Sequence, residues 1–432
     1  MPFAATERPG SKYRQLTAQQ LRSALQLHNR FVRGRAGGRQ ISLAGHELSG
    51  LDFSGHDLSG VDLTGSKLHG CKLNGVRFAG ANLFGADLRF SNLESADLSK
   101  SDLRGACLRG ACLERATLVG ADLRRGTLAR MDGEQSRGEV TLESRVADAA
   151  NVRARGANFS EAKLTDAVLT GADLRNAVLH CAEMRNANVR GADLTGAVLE
   201  STDLTNAKLN NAILRGAYLI KTKLAGAEVR GVDVSGAIMD EDLFAGTAGL
   251  DGLIRPALTA IARDDLAALL RQHDLWFASN GQDGRRAVLT HADLSHQDLT
   301  SVNLAMATIV CANLRGAILA GAMLAMADFS FSDLREANFS NADLRGASLS
   351  YAHLGAAILT GANLGPLERV GTGLRDLPSN LEGAKFARAD LRQATLTGAR
   401  VAHADFAGAY LDEVELIDVQ MDEAQTGEQS AS

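Results

Sequence analysis

The sequence predicts an all-β solenoid in which the chain turns a corner once every five residues. Three observations predict it. From Leu43 to Leu128 every fifth residue is large and apolar. The residue two before each of these is usually small, most often Ala. All five prolines lie outside the repeating stretches.

The period itself carries most of the argument. Four runs share it, with centres from Leu43 to Leu128, Phe159 to Met239, Leu289 to Leu364 and Leu381 to Met421. Together they hold 60 repeats, and every centre is Leu, Phe, Ile, Val or Met. A period of five fits neither the 3.6 of a helix nor the two of an extended strand. A chain keeps every fifth residue buried if it turns a corner once per repeat, so that four repeats close a square coil. Successive coils then hydrogen-bond about 4.8 Å apart, as neighbouring strands do. The centre and the small residue two before it point inward, and the other three face water. Asp, Asn, Ser and Gly suit the corners because they tolerate turn geometry.

The exceptions agree with this reading. A coil paired on both sides needs its N–H groups, and proline has none; Pro2, Pro9, Pro256, Pro366 and Pro378 are excluded accordingly. Aromatics are only 4% of a chain that is 45% apolar, so Leu and Ala must fill a narrow, regular interior. Phe386 and Phe406 are separated by four repeats, and a four-repeat coil places one directly above the other.

Ala81-Asn82-Leu83, Ala86-Asp87-Leu88, Ala172-Asp173-Leu174 and Ala342-Asp343-Leu344 show the commonest form of the repeat. They resemble the A(D/N)LXX consensus of the pentapeptide-repeat family. The resemblance extends over all four runs. It implies that family's fold, a right-handed quadrilateral β-helix, here with short capping α-helices.

Helical signals precede the first and third runs. Thr17-Ala18-Gln19-Gln20 has the form of a capping box, and Leu21, Leu25, His28 and Val32 follow at helical spacing. Leu266, Leu270, His273 and Phe277 repeat the same 4, 3, 4 spacing. The chain thus reads as a duplication, each helix covering an otherwise open sheet edge. The expected organisation is an arm and cap helix at 1–40, a β-helix at 41–245 interrupted at 129–154, and a second cap helix with linker at 246–286. A second β-helix follows at 287–423, interrupted at 365–380, with a disordered tail at 424–432.

No arrangement of residues points to catalysis. Asp recurs at one repeat position, which argues for turns rather than acid–base pairs. His28 and His273 read as packed helix residues. Cys107 and Cys112 sit at equivalent outward positions of consecutive repeats, hence on adjacent sides, and no cysteine–histidine cluster has zinc spacing. No catalytic, metal or cofactor-binding residues are expected, and no cofactor. No run of 18 apolar residues and no apolar leader core occurs, so the expectation is a cytoplasmic protein without membrane association.

Members of the family that mimic duplex DNA bind or protect a type II topoisomerase, DNA gyrase, and mimicry needs an acidic face standing in for phosphates. The first two runs are balanced instead: residues 41–130 hold 10 Asp/Glu and 11 Lys/Arg, and 157–240 hold 10 and 9. Only one segment is strongly acidic, with seven carboxylates at Asp405, Asp412, Glu413, Glu415, Asp418, Asp422 and Glu423. These residues are the candidate partner surface. The sequence therefore favours a non-enzymatic scaffold with an unidentified protein partner, no direct nucleic-acid binding, and room for a homo-oligomer. A DNA mimic is the alternative.

Overall fold

The computed structural model describes residues 13–131, 140–240, 242–368 and 376–419. The chain divides into two compact units: Met1–Asp233 with Met239–Leu253, and Val234–Ile238 with Ile254–Ser432. Each is a coil of pentapeptide repeats with a helix before its first turn.

In the first unit, parallel single-residue bridges join positions four repeats apart, as in Asp62 to Asn82 and Asn82 to Asp102. Each coil therefore takes four repeats, as the period required. The inward columns are closed to solvent: Leu83, Leu108 and Leu209 at the centres, and Ala81, Ala106 and Ala207 two before them, are all at most 1% exposed. Where Ser or Thr replaces that Ala, its hydroxyl donates to a main-chain carbonyl, of the coil below at Ser66 and Thr202 and of its own coil at Ser101. Ser66 Oγ donates to the Leu43 carbonyl at 2.7 Å, and Thr202 Oγ1 to that of Leu179 at 2.6 Å. At the corners the residue two after each centre adopts positive φ, for example Gly226 at 70° and Asn206 at 57°. A Cβ on Gly226 would run into Asn206 Oδ1, so the amide of one coil occupies the space its bare neighbour leaves.

The interruption of the first β-helix differs from the expected 129–154. The pairing offset steps from 20 to 41 between Asp87–Cys107 and Cys107–Asp148. The inserted residues form an antiparallel hairpin of β1 (Gly126–Met131) and β2 (Val140–Arg145). Leu128, counted as the last centre of run one, lies in β1. The coil resumes with Ala149 and Ala154 as buried centres. A search for large apolar centres misses these two repeats because Ala fills the position.

The second unit repeats the design. Bridges four repeats apart run from Val288 to Asn363, and then the offset becomes 32 from Ser348 to Asn380. The inserted residues include an antiparallel bridge between Leu367 and Leu377, inside the expected 365–380. The expected tail at 424–432 lies outside the described residues.

The caps are helix α1 (Ala18–Val32) and helix α2 (Arg263–Ala278). Thr17 and Gln20 form the reciprocal capping box read from sequence, whereas Ala262 gives α2 no side-chain cap. Both caps also contribute a strand that the sequence did not reveal. Arg14 pairs in parallel with His46, and β3 (Thr259–Ala260) pairs in parallel with β4 (Ala292–Asp293). His46 and Ala292 are the equivalent position, two before the second centre of each array. Each cap thus closes an edge with main chain and lays a helix behind it.

The buried histidines complete the duplication. His28 Nδ1 accepts from the Ile41 amide at 3.5 Å, and His273 Nδ1 accepts from the Ala287 amide at 3.0 Å. Ile41 and Ala287 are again equivalent, each two before the first centre. Both rings are fully buried and rest against an aromatic neighbour, Phe31 at 6.0 Å and Trp276 at 5.5 Å between centroids.

Candidate functional site

The acidic residues of the candidate surface do not form one face. Asp405 pairs with Lys385, Tyr410 with Asp390 and Glu415 with Thr395, which places them on three consecutive sides of the last coil. Asp412, Glu413, Glu415 and Asp418 are exposed and Asp405 is half-buried. Asp422 and Glu423 lie outside the described residues. Several of the carboxylates already have partners: Glu413 accepts from Gln393 Nε2 at 2.9 Å, and Asp405 from the Ala407 amide at 3.0 Å. The structure therefore arranges these charges as an arc around one end of the array.

Along the sides of the coils a different pattern dominates, and sequence reasoning missed it. An Asp one before a centre and an Arg one after it form a bidentate clip across the buried Leu. In the first unit Arg104 Nε and Nη2 donate to the two Asp102 oxygens at 2.9 and 2.6 Å. Asp87–Arg89, Asp122–Arg124 and Asp173–Arg175 repeat it. In the second unit Asp333–Arg335, Asp343–Arg345 and Asp390–Arg392 do the same. The backbone N–H of the Arg also donates to the same carboxylate, as at Asp343. Hydrogen bonds from Arg345, against the opposing effect of burial, hold Asp343 below the usual carboxylate range; Arg392 does so for Asp390. The signal was present in sequence as the recurring Asp-Leu-Arg triplet.

At other repeats Ser or Thr takes the place of the Arg, as in Thr195 Oγ1 donating to Asp193 at 2.6 Å. Ion pairs also run between coils, such as Arg109 to Asp148 at 2.6 Å and Arg190 to Glu228 at 2.7 Å. At these repeats the carboxylate charge is neutralised locally.

The β1–β2 hairpin creates one recess in the first unit. It overhangs the bare corner at Gly85 and Gly105 to form a groove of about 620 Å³ whose lining includes Tyr13, Lys67, Arg89, Cys107, Arg109 and Arg145. Lys67 lies over the Tyr13 ring at 4.4 Å, and Arg89 and Arg109 are clipped to Asp87 and Asp148. Burial raises the Cys107 thiol, which leaves it protonated and inert near neutrality. The groove can hold polar side chains of a partner but assembles no nucleophile with a base. Among the described residues no group of three or more His, Cys, Asp or Glu is placed to hold a metal ion.

Comparison with known proteins decides the family. The model for pentapeptide repeats matches overlapping stretches across residues 47–120, 157–236, 285–365 and 379–424. The chain belongs to the pentapeptide-repeat family. Its coils are accordingly those of a right-handed quadrilateral β-helix. Among solved structures the chain is similar to HetL from the cyanobacterium Nostoc, a pentapeptide repeat protein involved in heterocyst differentiation regulation. That match has 22% identity and a TM-score of 0.18, over 84% of this chain and 94% of HetL. It is also similar to QnrB1, a plasmid-mediated fluoroquinolone resistance protein, at 20% identity and a TM-score of 0.28, over 47% of this chain and 91% of the other. A pentapeptide repeat protein from the Arabidopsis thaliana thylakoid lumen matches at 30% identity and a TM-score of 0.13, over 29% of this chain and 68% of that one. No curated protein matches. No helix among the described residues is long and apolar enough to cross a membrane.

Proposed function

We propose that this pentapeptide-repeat protein is a non-enzymatic cytoplasmic scaffold that offers the flat sides of its coils to a protein partner. The observation that supports this reading is the Asp–Arg clip. Seven carboxylates along the two arrays are held by an Arg two residues on, which removes the charge that phosphate mimicry would need. What remains is a surface on which acidic and basic side chains are paired locally. Such a surface suits recognition by shape and hydrogen bonding, with weak dependence on salt.

A DNA-mimicking role toward a type II topoisomerase is the second reading. The arc of exposed carboxylates from Asp412 to Asp418 favours it, and QnrB1, a fluoroquinolone resistance protein, shares the repeat. These four charges and the half-buried Asp405, spread over three sides, make a poor substitute for a phosphate backbone, which carries one charge per about 1.7 Å.

The test is capture of the partner from the native host, followed by reconstitution with the purified partner. Binding that weakens less than about threefold between 50 and 200 mM salt supports the scaffold. A loss of about 10³-fold, the behaviour of a phosphate-like contact, contradicts it.

A further inference from the structure

Cys181 stands on an outer corner of the first unit, two residues after the buried centre Leu179, with φ of 55°. It is exposed, while Cys71 and Cys112 are buried and Cys107 is half-buried. Its neighbours set it apart further. Cys181 Sγ lies 3.3 Å from Nε2 of His180. The other ring nitrogen, His180 Nδ1, lies 3.6 Å from Oε2 of Glu200. Glu200 occupies the place of His180 one coil further along, since Val178 pairs with Val198. The Cys181 amide donates to the Glu200 carbonyl at 3.0 Å, so a rung of the coil fixes the spacing.

Sulfur, imidazole and carboxylate thus stand in a row on rigid backbone. An imidazole within reach of a thiol is placed to act as its base, and a carboxylate on the far nitrogen orients the ring. The thiolate is the nucleophile in thiol chemistry. The site is open: the His180 and Glu200 side chains are 45% and 35% exposed. Cys71 shows the contrast, since its Sγ donates to the Leu48 carbonyl and burial pushes that thiol up to about 11.

We infer that Cys181 is a covalent modification site that reacts with small disulfides by thiol–disulfide exchange. The Sγ proton passes to His180 Nε2. The thiolate forms a bond to one sulfur of the disulfide RSSR, the original S–S bond breaks, and RS⁻ leaves and takes up a proton. The protein ends as a mixed disulfide, and the disulfide is the only oxidant consumed. His180 is the base, and Glu200 is a positioning residue acting through it. Glu161 stands one coil before Cys181 in the same corner column, so that Glu161 and Glu200 make the surroundings acidic. The site therefore favours a cationic disulfide over an anionic one.

The test exposes the full-length protein, under native conditions at pH 7, to cystamine, a dicationic disulfide. Intact mass and peptide mapping follow the adduct. The expected result is one fast adduct on Cys181, absent in Cys181→Ser. His180→Gln slows the reaction about tenfold, because thiolate gained beside an imidazole outweighs the partial loss of nucleophilicity; its pH–rate profile moves to higher pH. Glu200→Gln slows it less. All three changes are outward, and His180→Asn serves as the second variant if His180→Gln does not fold. First reaction at another cysteine would overturn the assignment. So would a His180 variant with the parent's rate and pH profile, which would make Cys181 merely an exposed thiol.

Discussion

Phe386 and Phe406 lie face to face, with ring centroids 4.8 Å apart and planes 3° from parallel. That spacing is the rise from one coil to the next, because strands pair at about 4.8 Å and Lys385 pairs with Asp405 directly beside the rings. The stack fills the interior on one side of the second unit, where Leu354 holds the same column one coil earlier. Phe386→Ala leaves a cavity under Phe406 and should cost about 3–5 kcal/mol. Phe386→Leu, which restores the residue of the neighbouring coil, should cost about 1.5 kcal/mol or less. Urea unfolding of the two variants measures the difference, and equal midpoints would contradict the packing argument.

Leu194 is 1% exposed, whereas its neighbour Thr195 is outward and bonds Asp193 through its hydroxyl. Leu194→Lys buries an unpaired amine and should cost several kcal/mol, on the order of 4. Thr195→Lys loses one half-buried side-chain hydrogen bond, about 1 kcal/mol. Thermal melting of both variants checks the alternation, and similar shifts would show that inside and outside are misassigned.

The cap histidines make the helices sensitive to acid. Burial lowers both, against the weaker opposing pull of Asp57 on His28. At His273 the Ala305 carbonyl and Asp274 oppose burial while Arg286 adds to it. Each ring is neutral when packed and binds a proton more readily when released. The stabilisation is therefore complete above the ordinary histidine value of about 6.5 and is lost as pH falls toward the folded values. Amide exchange protection in 18–32 and 263–278 should drop between pH 7.5 and 5, while amides of Leu83 to Leu123 stay protected. Unchanged protection in both helices would refute this.

The period of five was legible because a coil buries the same two positions of every repeat, and no other element repeats that way. The caps were legible as helices through Leu21, Leu25 and His28, but their edge strands were not: Arg14 and Thr259 pair as isolated short segments, which leave no periodic trace. The hairpin was misplaced for a related reason, since Leu128 falls in register by coincidence and Ala149 and Ala154 are too small to register as centres. The acidic surface was read as a segment because sequence shows adjacency and not side. Residues 405–418 turn three corners, and only the pairing of Asp405, Tyr410 and Glu415 with the coil below reveals it. His180 and Glu200 were missed for the same reason, being four repeats apart along the chain yet in contact.

A supercoiling assay with purified DNA gyrase separates a binding scaffold from a phosphate mimic. The Asp–Arg clips leave too little uncompensated charge for a phosphate mimic, so no inhibition and no protection are expected at 50 mM salt with the protein in tenfold excess. Inhibition that fades as salt rises, and that disappears when Asp412, Glu413, Glu415 and Asp418 are changed to amides, would contradict the scaffold reading.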